Sequence, residues 1–157
     1  MENRQSRFGV GPRIALTTLA YAALAGTATH RWPGVCLLRS APFAFLPMAG
    51  VVLLLPGIAM LAVAVVSVAR AHSRGQLVTS GVFALCRHPL YAAWIVLILP
   101  GVMLLTGSWP LLIAPLVAYV VFKVSIHQED DYLGRRFGAA YAEYRAKVNE
   151  LIPFPKI

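Results

Sequence analysis

Uncharged stretches alternate with short polar segments along this chain, and their lengths predict its helices. Three stretches contain no Asp, Glu, Lys or Arg, and the third is long enough to cross a membrane twice. A membrane-spanning helix needs about 20 apolar residues, so the pattern predicts four spans. We place them at residues 14–30, 42–69, 89–106 and 109–125.

Local sequence signals refine two parts of this pattern. Residues 107–110 read Gly-Ser-Trp-Pro, which is typical of a tight turn between two helices. The second span contains Pro42, Pro47 and Pro56 and is longer than a perpendicular helix requires. We therefore expect a kink, a tilt or a start at the membrane surface in this span.

The C-terminal residues follow a different pattern, with apolar side chains at helical spacing. Their recurrence at steps of three and four predicts one amphipathic helix that lies against the bundle or the membrane surface, with Arg145 on its exposed face. A simple anchor at the membrane surface fits this pattern equally well. The apolar stripe consists of Leu133, Phe137, Tyr141, Tyr144 and Val148.

Composition then assigns the fold class. The 157 residues are 59% hydrophobic and 13% charged, with a mean hydropathy of +0.70, far more apolar than a soluble domain. We predict an all-α protein: one domain over residues 1–157, built as a multi-pass membrane helix bundle of about four transmembrane helices with a C-terminal amphipathic helix. Because the spans carry no charged side chain except Lys123 at the end of the fourth, the pattern argues against an ion-coupled transporter.

The net charge of +8 is distributed unevenly between the two sides of the predicted bundle. Twelve of the 14 basic residues lie on the side that holds both termini and the 70–88 loop, and only Arg31 and Arg39 lie on the other. Cytoplasmic loops carry the excess of basic residues in membrane proteins. We therefore expect both termini in the cytoplasm, membrane lipids rather than nucleic acid as partners, and the cytoplasmic membrane as the location in a bacterium. The first span lacks a convincing cleavage site and is expected to be retained.

The two cysteines offer little chemistry in this arrangement. Cys36 and Cys86 fall on opposite sides of the predicted bundle, too far apart for a disulfide. Their spacing matches no cysteine-rich metal site. We expect neither a disulfide nor a bound metal.

Residues 76–91 form the first polar cluster at the predicted cytoplasmic edge. Proline is favoured at the first position of a helix, so Pro89 makes His88 the residue just before the third span. The free N–H groups and the positive dipole end of that helix favour an anion such as a carboxylate or a phosphate. On position alone, contact of Arg87 and His88 with lipid headgroups fits equally well.

Residues 123–131 form the second polar cluster, at the end of the fourth span. They include three of the six acidic residues of the chain, Glu129, Asp130 and Asp131. Carboxylates accept hydrogen bonds from a ribose diol or an ammonium group, and helical geometry lets one or two of the three face a common site. Solubilising the helix end is the alternative role.

An ordered series of motifs runs through both clusters and the C-terminal helix. The series is Leu77-Val78-Thr79, Gly81, Arg87-His88-Pro89-Leu90-Tyr91, Glu129-Asp130, Leu133, Phe137-Gly138, Tyr141, Tyr144, Val148 and Pro153. It resembles the isoprenylcysteine carboxyl methyltransferase and phospholipid methyltransferase families. The resemblance covers about residues 70–155, and the first two spans match by hydropathy only.

The resemblance implies a small membrane enzyme that transfers a methyl group from S-adenosylmethionine to a lipid-like or membrane-soluble acceptor. The cofactor site would lie within residues 70–157, and the acceptor would enter from the bilayer. Methyl transfer from a sulfonium requires in-line alignment in a dry site more than acid or base help.

The resemblance also implies roles for individual residues. His88 and the helix start at Pro89 suit the cofactor's carboxylate, and Glu129 suits its ribose or amino group. Residues 77–78 or Tyr91 suit its adenine ring. The residues predicted to bind the cofactor are Gln76, Leu77, Val78, Gly81, His88, Pro89, Tyr91, Glu129 and Asp130. The predicted catalytic residues are Glu129 and Arg87, and the predicted substrate residues are Lys123 and His127.

The chain departs from the family pattern at two places. Ala93 stands where similar proteins commonly carry Gly, two residues after the motif tyrosine. Isoprenylcysteine enzymes carry an Arg a few residues before the acidic pair, whereas this chain offers Lys123, Ser125 and His127. Lys123 supplies a point charge but not a bidentate fork, so the pattern leaves the identity of the acceptor open.

Two other functions fit the same pattern. Sterol-type membrane reductases are similar in fold and bind NADPH, whose 2′-phosphate needs a basic cluster such as Arg70, Arg74 and Arg87. A non-enzymatic four-helix membrane subunit needs no cofactor. Binding of S-adenosylhomocysteine, of NADPH or of neither separates the three possibilities.

Overall fold

Helices make up the secondary structure of the described part of the chain. The computed structural model describes residues 10–38 and 43–152, and within them the only β-type pairing is an isolated bridge between Leu37 and Ser108. This confirms the predicted all-α class. The α-helices are α1 (Gly11–Arg31), α2 (Pro33–Cys36), α3 (Leu46–Arg74), α4 (Val82–Leu85), α5 (Pro89–Ala92), α6 (Leu99–Thr106), α7 (Ala114–Phe137) and α8 (Ala139–Lys147).

The third predicted span is one helical path with three local geometries. α5, a π-helical segment (Ala93–Ile98) and α6 follow one another directly, and Gly107 ends the path. The φ of 63° at Gly107 is a left-handed conformation that favours glycine. A 3-10 turn (Trp109–Ile113) then leads into α7, so the chain reverses within the predicted residues 107–110.

Three stretches are long and apolar enough to cross a membrane. They are Leu46–Ala71, Pro89–Thr106 and Trp109–Phe137, and they make the chain an integral membrane protein. Among the described helices, α1 has 21 residues and therefore the length, but it does not reach the same hydropathy. Three of the about four predicted spans thus meet both the length and the hydropathy expected of a membrane span. The remaining one, α1, meets the length alone.

Threonine side chains lower the hydropathy of α1, together with Arg13 and Arg31 near its ends. The hydroxyls of Thr18 and Thr29 donate to the carbonyls of Ile14 and Ala25, four residues earlier in the same helix. A hydroxyl satisfied within its own helix is tolerated in an apolar environment. α1 can therefore pack against the bundle even though its composition is less apolar than that of the other long helices.

The second predicted span is a single helix with different ends from those expected. α3 runs through Pro56, with Pro47 near its start, and continues past the predicted end at residue 69 to Arg74. Pro42, the predicted start, lies outside the described residues. A proline removes one hydrogen bond from a helix interior, but α3 continues as α-helix on both sides of it.

Glycines bring α3 close to the third span. A β-carbon added at Gly50 would lie 2.7 Å from the carbonyl oxygen of Gly101, and one added at Gly57 would lie 2.8 Å from Cβ of Leu97. Such distances are too short for any side chain at these positions. Small residues allow this close backbone approach between membrane helices.

The hydrophobic core lies between the third span, α7 and the start of α1. α3 packs on the third span, α1 packs on α7, and α7 also contacts the π-helical segment. Because the core includes Cys86, next to the Arg87-His88 motif, and Leu151, after α8, it extends to the end of the bundle that carries the polar motifs. Its buried members are Val10, Ile14, Cys86, Ala92, Ile95, Leu99, Ala118, Phe122, Ile126 and Leu151.

The C-terminal region differs from the predicted single amphipathic helix. α7 does not end near residue 125 but continues through the acidic cluster to Phe137, and α8 starts only after Gly138. Gly138 has a φ of 53°, a conformation that L side chains rarely adopt. This break divides the predicted apolar stripe between two helices and turns α8 back toward α7, where Tyr141 and Tyr144 are buried.

Candidate functional site

A short extended segment carries the Arg87-His88 motif between α4 and α5. The backbone N–H of Arg87 donates to the carbonyl of Asn149 at 2.8 Å, and that of His88 donates to the carbonyl of Glu150 at 3.1 Å. Pro89 then starts α5, as its place in the sequence predicts. The motif is therefore held between its own helix and the segment that follows α8.

Arg87 forms a buried ion pair with Asp130 of α7. Its Nη1 lies 3.1 Å from Oδ2 of Asp130, and the two side chains are 5% and 3% exposed. The hydroxyl of Tyr141, on α8, donates to Oδ1 of Asp130 and accepts a hydrogen bond from Arg87 Nη1 at 3.2 Å. Since an unpaired buried charge is strongly destabilising, these three groups depend on one another and fix α8 against α7.

Protonation states at this ion pair follow from its surroundings. Burial lowers the pKa of Arg87, but Asp130 and Tyr141 outweigh it and raise that pKa above its ordinary value. Burial, together with the hydrogen bond to Asp130, raises the pKa of Tyr141. Arg87 therefore stays charged and the Tyr141 phenol stays protonated. Burial also raises the pKa of the neighbouring Cys86 thiol to about 11, so it is neutral at physiological pH.

His88 lies between two carboxylates. Its Nε2 is 3.2 Å from Oδ1 of Asp130 and its Nδ1 is 3.8 Å from Oε1 of Glu129, while only 3% of its side chain is exposed. An ionised carboxylate only accepts hydrogen bonds, so Nε2 is the donor in the contact with Asp130. Asp130 thereby sets the orientation of the imidazole ring and leaves Nδ1 facing Glu129.

Glu129 is the more open carboxylate of the pair. Its Oε2 accepts a hydrogen bond from the Tyr91 hydroxyl at 2.8 Å and one from the backbone N–H of Val10 at 3.5 Å. Its side chain is 23% exposed, against 3% for Asp130. A carboxylate has about four lone-pair sites, so Glu129 retains the capacity to accept a hydrogen bond from a bound molecule.

Three aromatic rings contact one another beside these carboxylates. The ring centroids of His88, Tyr91 and Phe122 lie 5.4 to 5.9 Å apart, and Phe122 is fully buried in the core. Tilted and edge-on contacts at these distances hold rings in fixed positions. We refer to the polar side chains at this end of the bundle as the charged cluster. It consists of Arg87, His88, Tyr91, Glu129, Asp130 and Tyr141.

Two buried donors in this region lack a hydrogen-bond partner among the described residues. They are Nε of Arg87, within the charged cluster, and Nε1 of Trp94, one helical turn after Tyr91. Buried N–H groups in proteins are nearly always paired. These two donors are therefore candidate positions for contact with a bound molecule.

A second set of polar side chains joins helices at the opposite end of α1. The hydroxyls of Thr29 and Ser108 lie 2.7 Å apart. The Tyr21 hydroxyl donates to the carbonyl of Pro110 at 2.8 Å, and Trp109 Nε1 donates to a carbonyl of α2 at 2.9 Å. We call these side chains, Tyr21, Thr29, Ser108 and Trp109, the neutral cluster.

Five of the residues singled out in the sequence meet in the charged cluster, and the segment before α4 does not join them. Gln76 and Gly81 are exposed, and residues 77–78 are half-buried. Within residues 10–38 and 43–152, no hydrogen bond connects this segment to the charged cluster. The five that meet are Arg87, His88, Tyr91, Glu129 and Asp130.

The two predicted substrate residues lie on α7 outside the charged cluster. Nζ of Lys123 is 2.5 Å from Oε2 of Glu150, and 43% of the lysine side chain is exposed. His127 is exposed. Lys123 thus already has the Glu150 carboxylate as its partner. The backbone carbonyl of the same Glu150 accepts the hydrogen bond from the His88 N–H.

Several contacts of the site are not foreseen by the sequence. Tyr141 is predicted only as part of an apolar stripe, yet its hydroxyl bridges Arg87 and Asp130. Arg145, expected on an exposed face, is 52% exposed but places Nη2 3.8 Å from Oδ2 of Asp130. Two general rules point to such contacts. A buried tyrosine hydroxyl needs a hydrogen-bond partner, and the charge of Arg87 beside a long apolar helix needs a counter-charge.

No metal centre is found in this region. Within the described ranges there is no group of three or more His, Cys, Asp and Glu side chains placed to hold a metal ion. The chemistry available at the charged cluster is hydrogen bonding, charge and aromatic contact.

Comparison with known families gives a match that includes the motif segment and the acidic pair. The model of the isoprenylcysteine carboxyl methyltransferase (ICMT) family matches residues 49–135, more than half of the 157 residues. This range starts in α3 and ends before α8. The match confirms the resemblance to the isoprenylcysteine carboxyl methyltransferase family and extends it into the second predicted span, but it ends before the motifs from Phe137 onward.

Curated proteins with similar sequences carry matching names. A protein-S-isoprenylcysteine O-methyltransferase of Schizosaccharomyces pombe is 39% identical over 77 residues, which are 49% of this chain and 33% of that protein. Protein-S-isoprenylcysteine O-methyltransferase B of Arabidopsis thaliana is 29% identical over 54% of this chain and 43% of its own length. The Mus musculus enzyme of the same name is 32% identical over 51% of this chain and 28% of its own length.

The matched regions thus span less than half the length of these curated relatives. No solved structure matches the chain.

Proposed function

Because the chain belongs to the isoprenylcysteine carboxyl methyltransferase family, we propose that it transfers a methyl group from S-adenosylmethionine to a lipid-like acceptor in the membrane. The observation that carries this proposal is the charged cluster, in which the Arg87-His88 segment meets the Glu129-Asp130 pair. Those two motifs are 42 residues apart in sequence, counting from His88 to Asp130, yet their side chains are in hydrogen-bond contact.

The residues of the charged cluster fit the polar groups of S-adenosylmethionine. Arg87 has a buried, unpaired Nε–H donor, which suits the cofactor's carboxylate. Glu129 has an open carboxylate, which suits the ribose hydroxyls or the amino group. Tyr91 supplies an aromatic wall for the adenine ring.

When bound, the cofactor supplies an electrophilic methyl group on a sulfonium, which becomes a neutral thioether as the acceptor's nucleophilic atom forms the new bond. The chain's own residues position the reactants for this step. Asp130 orients His88, Tyr91 orients Glu129, and the buried rings exclude water from their side of the site. Catalysis by alignment in a dry site needs no separate proton relay.

The acceptor of the proposed reaction is a membrane-soluble molecule. The relatives are named for an S-isoprenylcysteine acceptor, so a prenylated cysteine is the first candidate. Lys123 and His127 are the proposed acceptor-binding residues. For Lys123 to contact an acceptor carboxylate, that carboxylate would have to replace Glu150, its present partner at 2.5 Å.

We further propose that the charged cluster faces the cytoplasm. The basic residues Arg13, Arg70 and Arg74 lie at the same end of their helices as the charged cluster, whereas Arg31 lies at the other end of α1. An excess of basic residues favours the cytoplasmic side. Labelling of single cysteines introduced at exposed Ser73 and at exposed Val35 with a membrane-impermeant reagent tests this orientation. Labelling of position 73 from outside intact cells contradicts it.

Calorimetric titration of the detergent-purified protein tests the cofactor assignment. Saturable binding of S-adenosylhomocysteine without binding of NADPH supports methyl transfer. Binding of NADPH alone replaces it with a reductase function, and binding of neither favours a non-enzymatic membrane subunit. A positive titration leads directly to a radiolabelled methyl-transfer assay with N-acetyl-S-farnesyl-L-cysteine as acceptor.

A further inference from the structure

A buried indole N–H in the third span has no acceptor among the described residues. Trp94 is the second residue of the π-helical segment, three residues after Tyr91. Its ring packs against the core cluster that contains Ala92 and Phe122. Its Nε1 is shielded from solvent and has no partner among the residues that the structure describes.

The other two tryptophans do not bury an unpaired indole N–H. Trp109 donates its Nε1–H to the carbonyl of Val35 at 2.9 Å, and Trp32 is 59% exposed. An N–H group in an apolar interior without an acceptor is costly, and more so at membrane depth, where no water replaces it. Of the three, only Trp94 combines burial of this donor with the absence of a partner in the described chain.

The local backbone supports a role for this position in binding. π-helical turns are rare and occur frequently at functional sites. This one begins immediately after α5, within the third span, and it contacts both α3 and α7. Trp94 is half-buried and packs against the core, one helical turn further along the span than Tyr91.

We propose that Trp94 is a specificity-determining residue that donates its indole N–H to an oxygen on the headgroup of the methyl acceptor. An indole N–H is a donor only. It therefore pairs with a carboxylate, carbonyl or ester oxygen and not with an ammonium group, which offers no lone pair. An acceptor that enters from the bilayer reaches Trp94 with its headgroup directed toward the charged cluster. This inference rests on the proposed methyl-transfer function.

Kinetics of the Trp94→Phe variant of the full chain provide the first test. Phenylalanine keeps an aromatic ring but removes the donor. We expect the KM for N-acetyl-S-farnesyl-L-cysteine to rise about tenfold, the effect of one lost hydrogen bond, with kcat within about twofold of wild type. Affinity for S-adenosylhomocysteine should not change, because the indole N–H contacts the methyl acceptor and not the cofactor. Trp109→Phe is the matched control and should leave both kinetic constants unaltered.

A measurement on the wild-type protein covers the case in which Trp94→Phe does not fold. In protein labelled with ¹⁵N-tryptophan, the Trp94 indole resonance, assigned with Trp32→Phe and Trp109→Phe variants, should move downfield when the farnesyl probe is added. An unmoved resonance, or an unchanged KM in folded Trp94→Phe, overturns the inference. Wild-type protein that neither binds S-adenosylhomocysteine nor transfers a methyl group overturns the proposed function instead, whatever the indole resonance does.

Discussion

The neutral cluster and the charged cluster lie at opposite ends of the bundle and hold it together by different means. In the neutral cluster, hydroxyl, indole and carbonyl groups pair with one another across α1, α2 and the turn after α6. In the charged cluster, an ion pair connects the motif segment to α7 and α8, yet Arg87 keeps an unpaired donor and Glu129 stays 23% exposed. Polar contacts alone therefore do not mark a functional site in this membrane bundle. Unused hydrogen-bonding capacity is what distinguishes the charged cluster as the candidate site.

The charged cluster is also the more costly of the two arrangements to bury. Neutral hydrogen bonds between membrane helices contribute modestly and carry little desolvation cost. A buried ion pair is expensive to desolvate, and apolar replacements of a whole pair are often neutral or stabilising. Keeping Arg87 and Asp130 at less than 6% exposure is thus hard to explain by stability alone. Four substitutions test this contrast, from the largest expected effect to the smallest.

Replacing Asp130 with Ala should have the largest effect. The change leaves Arg87 without its carboxylate and His88 without the acceptor of its Nε2–H. We expect unfolding free energy to fall by about 3–5 kcal/mol and methyl transfer to be lost, as measured by thermal denaturation in detergent and by the radiolabel assay. Asp131→Ala, the same change at the exposed next residue, is the control. Equal behaviour of the two variants contradicts the role given to the ion pair.

Replacing Glu129 with Gln should separate binding from stability. The amide is nearly isosteric and keeps an acceptor for Tyr91, but it loses the charge that suits the cofactor's ribose or amino group. We expect affinity for S-adenosylhomocysteine to fall at least about tenfold, since hydrogen bonds to charged groups contribute about 1.5–3 kcal/mol, while the melting temperature changes little. Glu143→Gln, at an exposed carboxylate that pairs with Lys147 one turn later on α8, should change neither.

Replacing Tyr141 with Phe should have an intermediate effect on both properties. The ring remains, but Asp130 loses one donor and Arg87 loses one acceptor. We expect a loss of about 1–2 kcal/mol in unfolding free energy and a few-fold loss of cofactor affinity through less precise placement of His88. The control is Tyr132→Phe on α7, whose exposed hydroxyl accepts from Arg136 at 2.7 Å. A Tyr141→Phe variant that matches this control in both measurements argues against a bridging role.

Replacing Thr29 with Val should have the smallest effect and touch stability only. The change removes the partner of the Ser108 hydroxyl at 2.7 Å, and the lost bond costs about 1 kcal/mol. Affinity for S-adenosylhomocysteine and the kinetic constants should stay at wild-type values, because the neutral cluster lies at the other end of α1. A clear change in either would show that the two ends of the bundle are not independent.

The helices and their order follow from the sequence because length and hydropathy decide them locally. The reversal at Gly107 and the helix start at Pro89 are local signals as well. The break at Gly138 was missed because tyrosines at steps of three and four continue the helical period across it. The uncharged stretch predicts a span at α1, although the hydropathy of α1 is lowered by threonines that are satisfied within the helix.

Four members of the charged cluster stand out in the sequence, whereas the pairing between them does not. Arg87, His88, Glu129 and Asp130 stand out because they are charged or titratable beside long uncharged stretches. Which carboxylate is buried and which stays open depends on the side of α7 that faces the motif segment. That rotation is set by packing around Phe122, which no local pattern reveals.

The two backbone bonds from the motif segment to the chain after α8 have a consequence for how the protein is made. Arg87 and His88 leave the ribosome more than 60 residues before Asn149 and Glu150, the residues whose carbonyls accept their N–H groups. At a synthesis rate of about 5–20 residues per second, the motif waits several seconds beside the membrane without these partners. The site is thus assembled last, only after every helix that surrounds it has been inserted.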